Sequence, residues 1–113
     1  MTLDDLVHTA AAHLNTTPVA ALHRLLMDGE AHVYPLAIAA WSNATGTPPT
    51  ALARRVEELA GYPRGRLKST FWRWSTLRLT PSGWAAKAVP SPVYRALLAP
   101  ELERVLLLQV NDH

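Results

Sequence analysis

The sequence predicts an all-α fold: a compact bundle of six to seven short helices, with one tiny two-stranded β-ribbon. Two observations support this class. Apolar residues make up 49 % of the 113 residues and charged residues only 18 %, and the apolar positions recur at helical spacing. Nine prolines and five glycines punctuate these segments where helices typically begin and end. The length suits one core, so we expect a single helical domain over residues 1–113.

The N-terminal segment predicts two helices joined by a tight turn. Thr2 is placed to cap the first helix with Asp5 at the third helical position, and apolar spacing continues to Leu14. Thr17-Pro18 is a cap followed by a proline at the first helical position, and Gly29 ends the second helix. Both helices therefore have a start and an end signal of their own.

The next segment predicts an extended tetrad and two more helices. Ala31–Tyr34 has extended character, and Pro35 begins a third helix that ends before Gly46. The fourth helix opens at Thr47-Pro48-Pro49 and closes at Gly61. Its inner face is expected to carry Leu52, Val56 and Leu59, and its outer face Arg54, Arg55, Glu57 and Glu58.

A fifth helix is predicted to begin at Pro63. Leu67, Phe71 and Trp74 share one face by their four-then-three spacing, and Trp72 falls off that face. The alternation that follows over residues 77–80 is typical of a short strand, and pairing with residues 31–34 would make the ribbon.

The C-terminal part predicts three further helix starts, at Thr80-Pro81, Ser91-Pro92 and Pro100. The first of these helices is expected to run through Ala88. The inner face of the last is expected to carry Leu102, Val105, Leu106 and Val110. Leu107 and Leu108 are apolar but lie off that face, so we expect them either to be covered by the core or to form a homodimer interface.

A shift of 45 residues suggests an internal repeat of residues 2–41 in residues 47–88. The identities it aligns are Thr2 with Thr47, Leu14 with Leu59, Pro18 with Pro63 and Leu22 with Leu67.

The sequence lacks the residues that several classes of function require. There is no cysteine, which excludes disulfides, thiolate zinc sites and a cysteine nucleophile. His8 and His13 point about 140° apart on a helix, too far for a shared metal, and no nucleophile–base motif or glycine-rich phosphate loop occurs. We therefore expect no enzyme, no metal and no cofactor. Asp4 and Asp5 stand where a secretory signal would be basic, and no apolar run reaches membrane-spanning length, so we expect a cytoplasmic protein without a membrane partner.

Charge is distributed unevenly along the chain. Residues 1–53 hold one basic and four acidic residues, a net charge of −3, whereas residues 54–78 hold seven basic and two acidic, a net charge of +5. The basic segment is suited to attract a polyanion. A solvated helix face is the alternative origin of such a charge run, and that alternative stays open.

Residues 51–69, ALARRVEELAGYPRGRLKS, resemble the helix-turn-helix of bacterial DNA-binding proteins, with a glycine at the turn and a polar second helix. Residues 79–83, LTPSG, resemble the L-T-x-x-G that follows the wing in many winged-helix regulators. The chain departs from that pattern because the four residues between Trp74 and Leu79 are too few for a two-stranded wing.

The resemblance implies binding of nucleic acid, duplex DNA in the first place, by a regulator. It places Arg64, Arg66 and Lys68 at base edges or phosphates and Ser69 at a phosphate. The full set of predicted contacts is Arg54, Arg55, Arg64, Arg66, Lys68, Ser69, Arg73 and Arg78. Two-fold symmetry would present two such helices to successive grooves, which favours a homodimer. The alternative function is a small protein-interaction module, an inhibitor or adaptor, that docks through Trp72 and the Arg/Trp-rich segment 64–78.

Overall fold

Six helices and one β-hairpin make up the part of the chain that the computed structural model describes, residues 2–30, 32–81 and 83–110, with side chains described as far as residue 106. Their order is α1 (Leu3–Leu14), α2 (Pro18–Asp28), α3 (Val33–Thr45), α4 (Pro49–Ala60), α5 (Lys68–Ser75), β1 (Leu77–Thr80), β2 (Gly83–Ala86) and α6 (Pro92–Val110). The predicted all-α class with a tiny ribbon is confirmed, whereas several element boundaries differ.

The first two helices begin as predicted. The Thr2 hydroxyl accepts the N–H of Asp5 at 3.1 Å, and the Asp5 carboxylate accepts the N–H of Thr2 at 3.3 Å, which completes a capping box. These hydrogen bonds lower the pKa of Asp5. The Thr17 hydroxyl accepts the N–H of Ala20 at 3.2 Å, with Pro18 at the first helical position of α2.

The predicted strand at residues 31–34 is wrong, because α3 begins at Val33 instead of Pro35. A proline lacks only a backbone N–H, which the first turn of a helix does not use, so Pro35 fits inside that turn. Val33 and Tyr34 are fully buried, and the Tyr34 hydroxyl donates to the Leu26 carbonyl at 2.5 Å. Both side chains thus join the core from the first turn of α3. Ala31 lies outside the described residues.

The ribbon is a hairpin of two neighbouring strands, so the predicted helix from Thr80-Pro81 to Ala88 is also wrong. β1 and β2 are antiparallel, and Leu77 lies opposite Ala86 and Leu79 opposite Trp84. The Thr80 hydroxyl donates to the Gly83 carbonyl at 2.6 Å across the turn. Gly83 has φ +117°, a conformation that suits glycine. The threonine thus closes a turn and caps no helix.

The two helices predicted to start at Pro92 and Pro100 form one continuous helix, α6, with Pro100 inside it. An interior proline removes one backbone hydrogen bond and costs ~3 kcal/mol. Leu98, Leu102 and Leu106 are completely or almost completely buried, and α6 contacts α2, α3 and α4. Burial of this apolar face offsets the missing hydrogen bond.

The same helix restricts the end of α2. Gly29 has φ +73°, and a Cβ added there would lie 2.8 Å from Nη1 of Arg95 on α6. That guanidinium donates to the Pro90 carbonyl at 2.8 Å, which holds it in place. Glycine is therefore needed at position 29 for its backbone conformation and for space.

The two halves of the suggested repeat differ after their second helix, since α3 follows α2 whereas a hairpin follows α5. The repeat stays a prediction.

Candidate nucleic-acid interface

The segment that resembles a helix-turn-helix consists of α4, a loop over residues 61–67, and α5. α5 begins at Lys68, five positions later than the predicted start at Pro63. Arg64 and Arg66 therefore lie in the loop that leads into α5 and not on the helix itself, which corrects their predicted placement. Lys68 and Ser69 occupy the first turn of α5.

The buried carboxylate of Glu57 fixes this loop. Its side chain is only 3 % exposed, so the prediction that it faces solvent is wrong. Oε1 accepts the N–H of Gly65 at 3.0 Å, and Oε2 accepts the N–H of Leu67 at 2.7 Å. These two hydrogen bonds lower the pKa of Glu57, so the group stays ionised in the folded protein at neutral pH. One carboxylate thereby ties the loop to α4 at two backbone positions.

The two faces of α5 follow the predicted spacing. Leu67, Phe71 and Trp74 are buried, and the Phe71 and Trp74 rings meet edge to face with centroids 6.0 Å apart. Trp72 is 53 % exposed, as predicted, and the Lys87 ammonium lies 4.3 Å from the centroid of its indole ring. One prediction for α4 is wrong, because Leu59 is 48 % exposed instead of lying on the inner face.

Two adjoining grooves run along the exposed side of α4 and α5. The larger, of about 790 Å³, lies between the start of α4 and the length of α5, and Thr50, Lys68, Ser69, Trp72 and Arg73 are among its lining residues. The smaller, of about 230 Å³, is lined in part by Arg54, Arg64 and Lys68, with the Glu57 carboxylate at its base. Thr50, Lys68 and Phe71 line both grooves, so they form one surface.

We call the four cations of this surface, Arg54, Arg64, Lys68 and Arg73, the basic face. The described residues include no carboxylate within ion-pair distance of any of the four. All four are exposed. The structure thus brings together five of the eight predicted contact residues, these four and Ser69.

The other three predicted contacts have different surroundings. Arg55 pairs with Glu58 on α4, with 3.6 Å between Nη1 and Oε2. The Arg66 guanidinium stacks 4.4 Å from the centroid of the Tyr62 ring. Arg78 lies on β1, opposite Ala85. None of the three lines either groove.

Two features of the site were missed in the sequence. Thr50 lines both grooves. Its position in the first turn of α4, close to the predicted helix start, is the feature of the sequence that could have indicated this. The hairpin carries three exposed apolar side chains, Leu77 at 40 %, Leu79 at 69 % and Trp84 at 59 % exposure. The exposure of Trp84 does not follow from the sequence, because the sequence predicts a helix from Thr80-Pro81 to Ala88.

In the part of the chain that the structure describes, no group of three His, Asp or Glu residues is arranged to hold a metal ion. None of the helices described is both long and apolar enough to cross a membrane. The chain matches no protein-family model, no curated protein and no solved structure.

Proposed function

We propose that this protein binds nucleic acid, duplex DNA in the first place, through α5 and the basic face, and that it acts as a small regulator in the cytoplasm. The observation that carries the proposal is a set of four exposed cations along two joined grooves, none of which forms an ion pair among the described residues. Evenly spaced phosphates provide the complementary charge.

The charge of the surrounding sequence supports a polyanionic partner. Residues 59–100 contain seven Lys or Arg and no Asp or Glu. The Glu57 carboxylate attracts Arg54 and Arg64 from beyond ion-pair distance, and its two oxygens accept backbone N–H groups. Lys68 and Arg73 form no ion pair among the described residues, so these two cations are the most available to an external anion.

The order of elements supports a DNA-binding arrangement. α5 is followed by a hairpin, which is where the resemblance to winged-helix regulators would place a wing after the recognition helix. Residues 79–83 form the tip of that hairpin instead of following it, so this part of the resemblance needs correction. An α-helix fits the major groove, and the exposed side of α5 carries Lys68, Ser69 and Arg73.

The test is duplex binding as a function of salt. Four phosphate contacts give a slope of about −3.6 in log K against log salt, so affinity for a 20-base-pair duplex should fall about 150-fold between 50 and 200 mM salt. Lys68→Glu combined with Arg73→Glu should abolish binding. The matched control is Arg55→Glu, which reverses a charge outside both grooves and should retain most of the affinity. Duplex binding that ignores salt, or that survives the double reversal, would contradict the proposal.

Arg66→Glu distinguishes a direct contact from a positioning role. Arg66 adjoins the loop that leads into α5, but its guanidinium stacks on Tyr62. If Arg66 contacts the duplex directly, as the resemblance implies, this charge reversal abolishes binding, whereas a position outside both grooves, like that of Arg55, predicts that most of the affinity is retained. In either case little stability is lost, because an exposed cation–π contact contributes only about 0.5–1 kcal/mol. Unchanged affinity would remove Arg66 from the interface.

The second candidate is a protein-interaction module that docks an acidic partner on Trp72. Its support is the exposed indole with Lys87 stacked on it, since tryptophans beside cations are common at the centre of interfaces. A poly-glutamate peptide is a suitable probe. Binding of this peptide in preference to duplex DNA of equal charge, with loss of that binding in Trp72→Ala, would favour the interaction module.

A further inference from the structure

The tip of the hairpin presents two large apolar side chains to solvent. Leu79 and Trp84 lie directly opposite each other in the strand register and are 69 % and 59 % exposed. Only the Thr80 to Gly83 turn lies beyond them. Hairpin edges are usually protected by charged residues, so an exposed Leu–Trp pair at this position suggests a binding partner.

The base of the hairpin is fixed to α5, although its tip is exposed. Ala85 and Ala86 are buried, and β2 contacts α3 and α5. The N–H of Lys87 donates to the Thr76 carbonyl at 2.9 Å, and the N–H of Ala88 donates to the Arg73 carbonyl at 3.3 Å. The Leu79–Trp84 pair is therefore held at a set position relative to the C-terminal end of α5, the helix that carries Lys68 and Arg73 of the basic face.

Charge around the hairpin indicates what covers the pair. Lys87 stacks on Trp72, and Arg78, paired with Ala85, lies on the other face of the hairpin from the Leu79–Trp84 pair, so that face is apolar. The hairpin nevertheless stands in a segment, residues 59–100, that contains seven Lys or Arg and no Asp or Glu, and a second copy of this chain would bring these cations against each other. A nucleotide instead joins a flat base, which suits the exposed indole, to a negative phosphate, which suits the basic face.

We propose that the Leu79–Trp84 pair is a base-stacking site, at which the Trp84 indole stacks on an unpaired base next to a duplex held by the basic face. This inference rests on the proposed DNA binding. The protein then prefers a duplex with a one-nucleotide bulge over the matched duplex. Stacking on an aromatic side chain tolerates any base, so the preference depends on the defect and not on its sequence.

The test compares one 20-base-pair duplex with the same duplex carrying a central one-nucleotide bulge. We expect the bulged duplex to bind about tenfold tighter, a difference of ~1.4 kcal/mol. Trp84→Ala should remove the preference and keep the affinity for the matched duplex. Leu79→Ser should reduce the preference as a second, independent variant. Trp72→Ala is the matched control, because it removes an equally exposed tryptophan away from the tip, and it should keep the preference.

Fluorescence gives a direct readout of the contact. In a Trp72→Phe background the other described tryptophans, Trp41 and Trp74, are buried, so Trp84 is the accessible emitter. Its emission should be quenched by the bulged duplex and much less by the matched one.

The outcomes separate this inference from the proposed function. Equal affinity for both duplexes, or a preference that survives Trp84→Ala, overturns the stacking site and leaves duplex binding intact. Absence of binding to either duplex at low salt overturns both. A concentration-dependent dimer that Trp84→Ala dissociates would show that a second copy covers the tip, and it would overturn the stacking site as well.

Discussion

Replacing Phe71 with alanine tests the assignment of the two faces of α5 most directly. The Phe71 ring is 3 % exposed, and its edge-to-face partner is Trp74, with centroids 6.0 Å apart. The substitution removes the ring and leaves both neighbouring helices in place. It therefore measures how much the buried face of α5 contributes to the stability of the domain.

Three contributions determine the size of the effect. Loss of the buried apolar surface costs roughly 1.5–3 kcal/mol, and loss of the aromatic pair about 0.5–1.5 kcal/mol. The unfilled space adds to these, which gives about 3–5 kcal/mol in total. Because Phe71 also lines both surface grooves, water can enter the vacated space, and we expect a value near the lower end. For a chain of this size, about 3 kcal/mol lowers Tm by roughly 12 °C.

Urea unfolding followed by far-ultraviolet circular dichroism measures this loss. The matched control is Trp72→Ala on the same helix, where an exposed side chain and its cation–π contact are removed at a cost of about 1 kcal/mol or less. A Phe71→Ala protein as stable as the control would refute the assignment of Phe71 to the core.

Three further predictions concern pH, backbone strain and assembly. The folded pKa of Glu57 lies below its ordinary value of 4.5, so its contribution to stability is complete above that pH and is lost as pH falls through the folded pKa. Below pH 4.5 the urea midpoint of Glu57→Gln should therefore change less with pH than the midpoint of the wild type. Equal dependence of the two midpoints on pH would contradict this. Gly46→Ala should lower the free energy of unfolding by about 1–2 kcal/mol, because of the left-handed backbone at that position alone. Gly29→Ala should lower it by more, because the added Cβ also meets Arg95. Equal decreases in Tm for the two variants would show that Arg95 moves freely. The side chains of Leu107 and Leu108 lie outside the described residues, and the expected homodimer stays a prediction. Light scattering should give twice 12.4 kDa for the wild-type protein and the monomer mass for the variant in which both leucines are changed to Glu. A monomeric wild-type protein would refute the homodimer.

Signals that act within one turn of helix were predictable from the sequence. The Thr2 capping box and the Thr17-Pro18 start depend on residues at most three positions apart, and both appear in the structure. The buried face of α5 was predictable for the same reason, since its spacing is local. The exposed position of Trp72 followed from that spacing.

Proline was ambiguous because it fits several backbone contexts. It lies at the third position of α3 at Pro35, in a turn at Pro81 and inside α6 at Pro100. In each case the sequence suggests a helix start, and only packing decides among the contexts. Burial of Leu98 and Leu102 on either side of Pro100 is such a tertiary effect.

The sequence indicated which residues lie together at the candidate site, but not their geometry. Five of the eight expected contact residues line the two grooves, and their contact with nucleic acid stays a prediction. The later start of α5 was not predictable, because it depends on Glu57 accepting N–H groups eight and ten residues further along the chain. Glu57 stands next to Glu58 in the sequence, and nothing in the sequence indicates that one of these two glutamates is buried.

The central position of α6 has a consequence for biosynthesis. Its buried leucines, Leu98, Leu102 and Leu106, cover apolar faces of α2, α3 and α4, which are all made earlier. During translation those faces stay uncovered until residues 92–106 have left the ribosome, so the N-terminal helices cannot complete a core by themselves. The nascent chain is consequently most exposed to aggregation and to chaperones just before its last helix emerges.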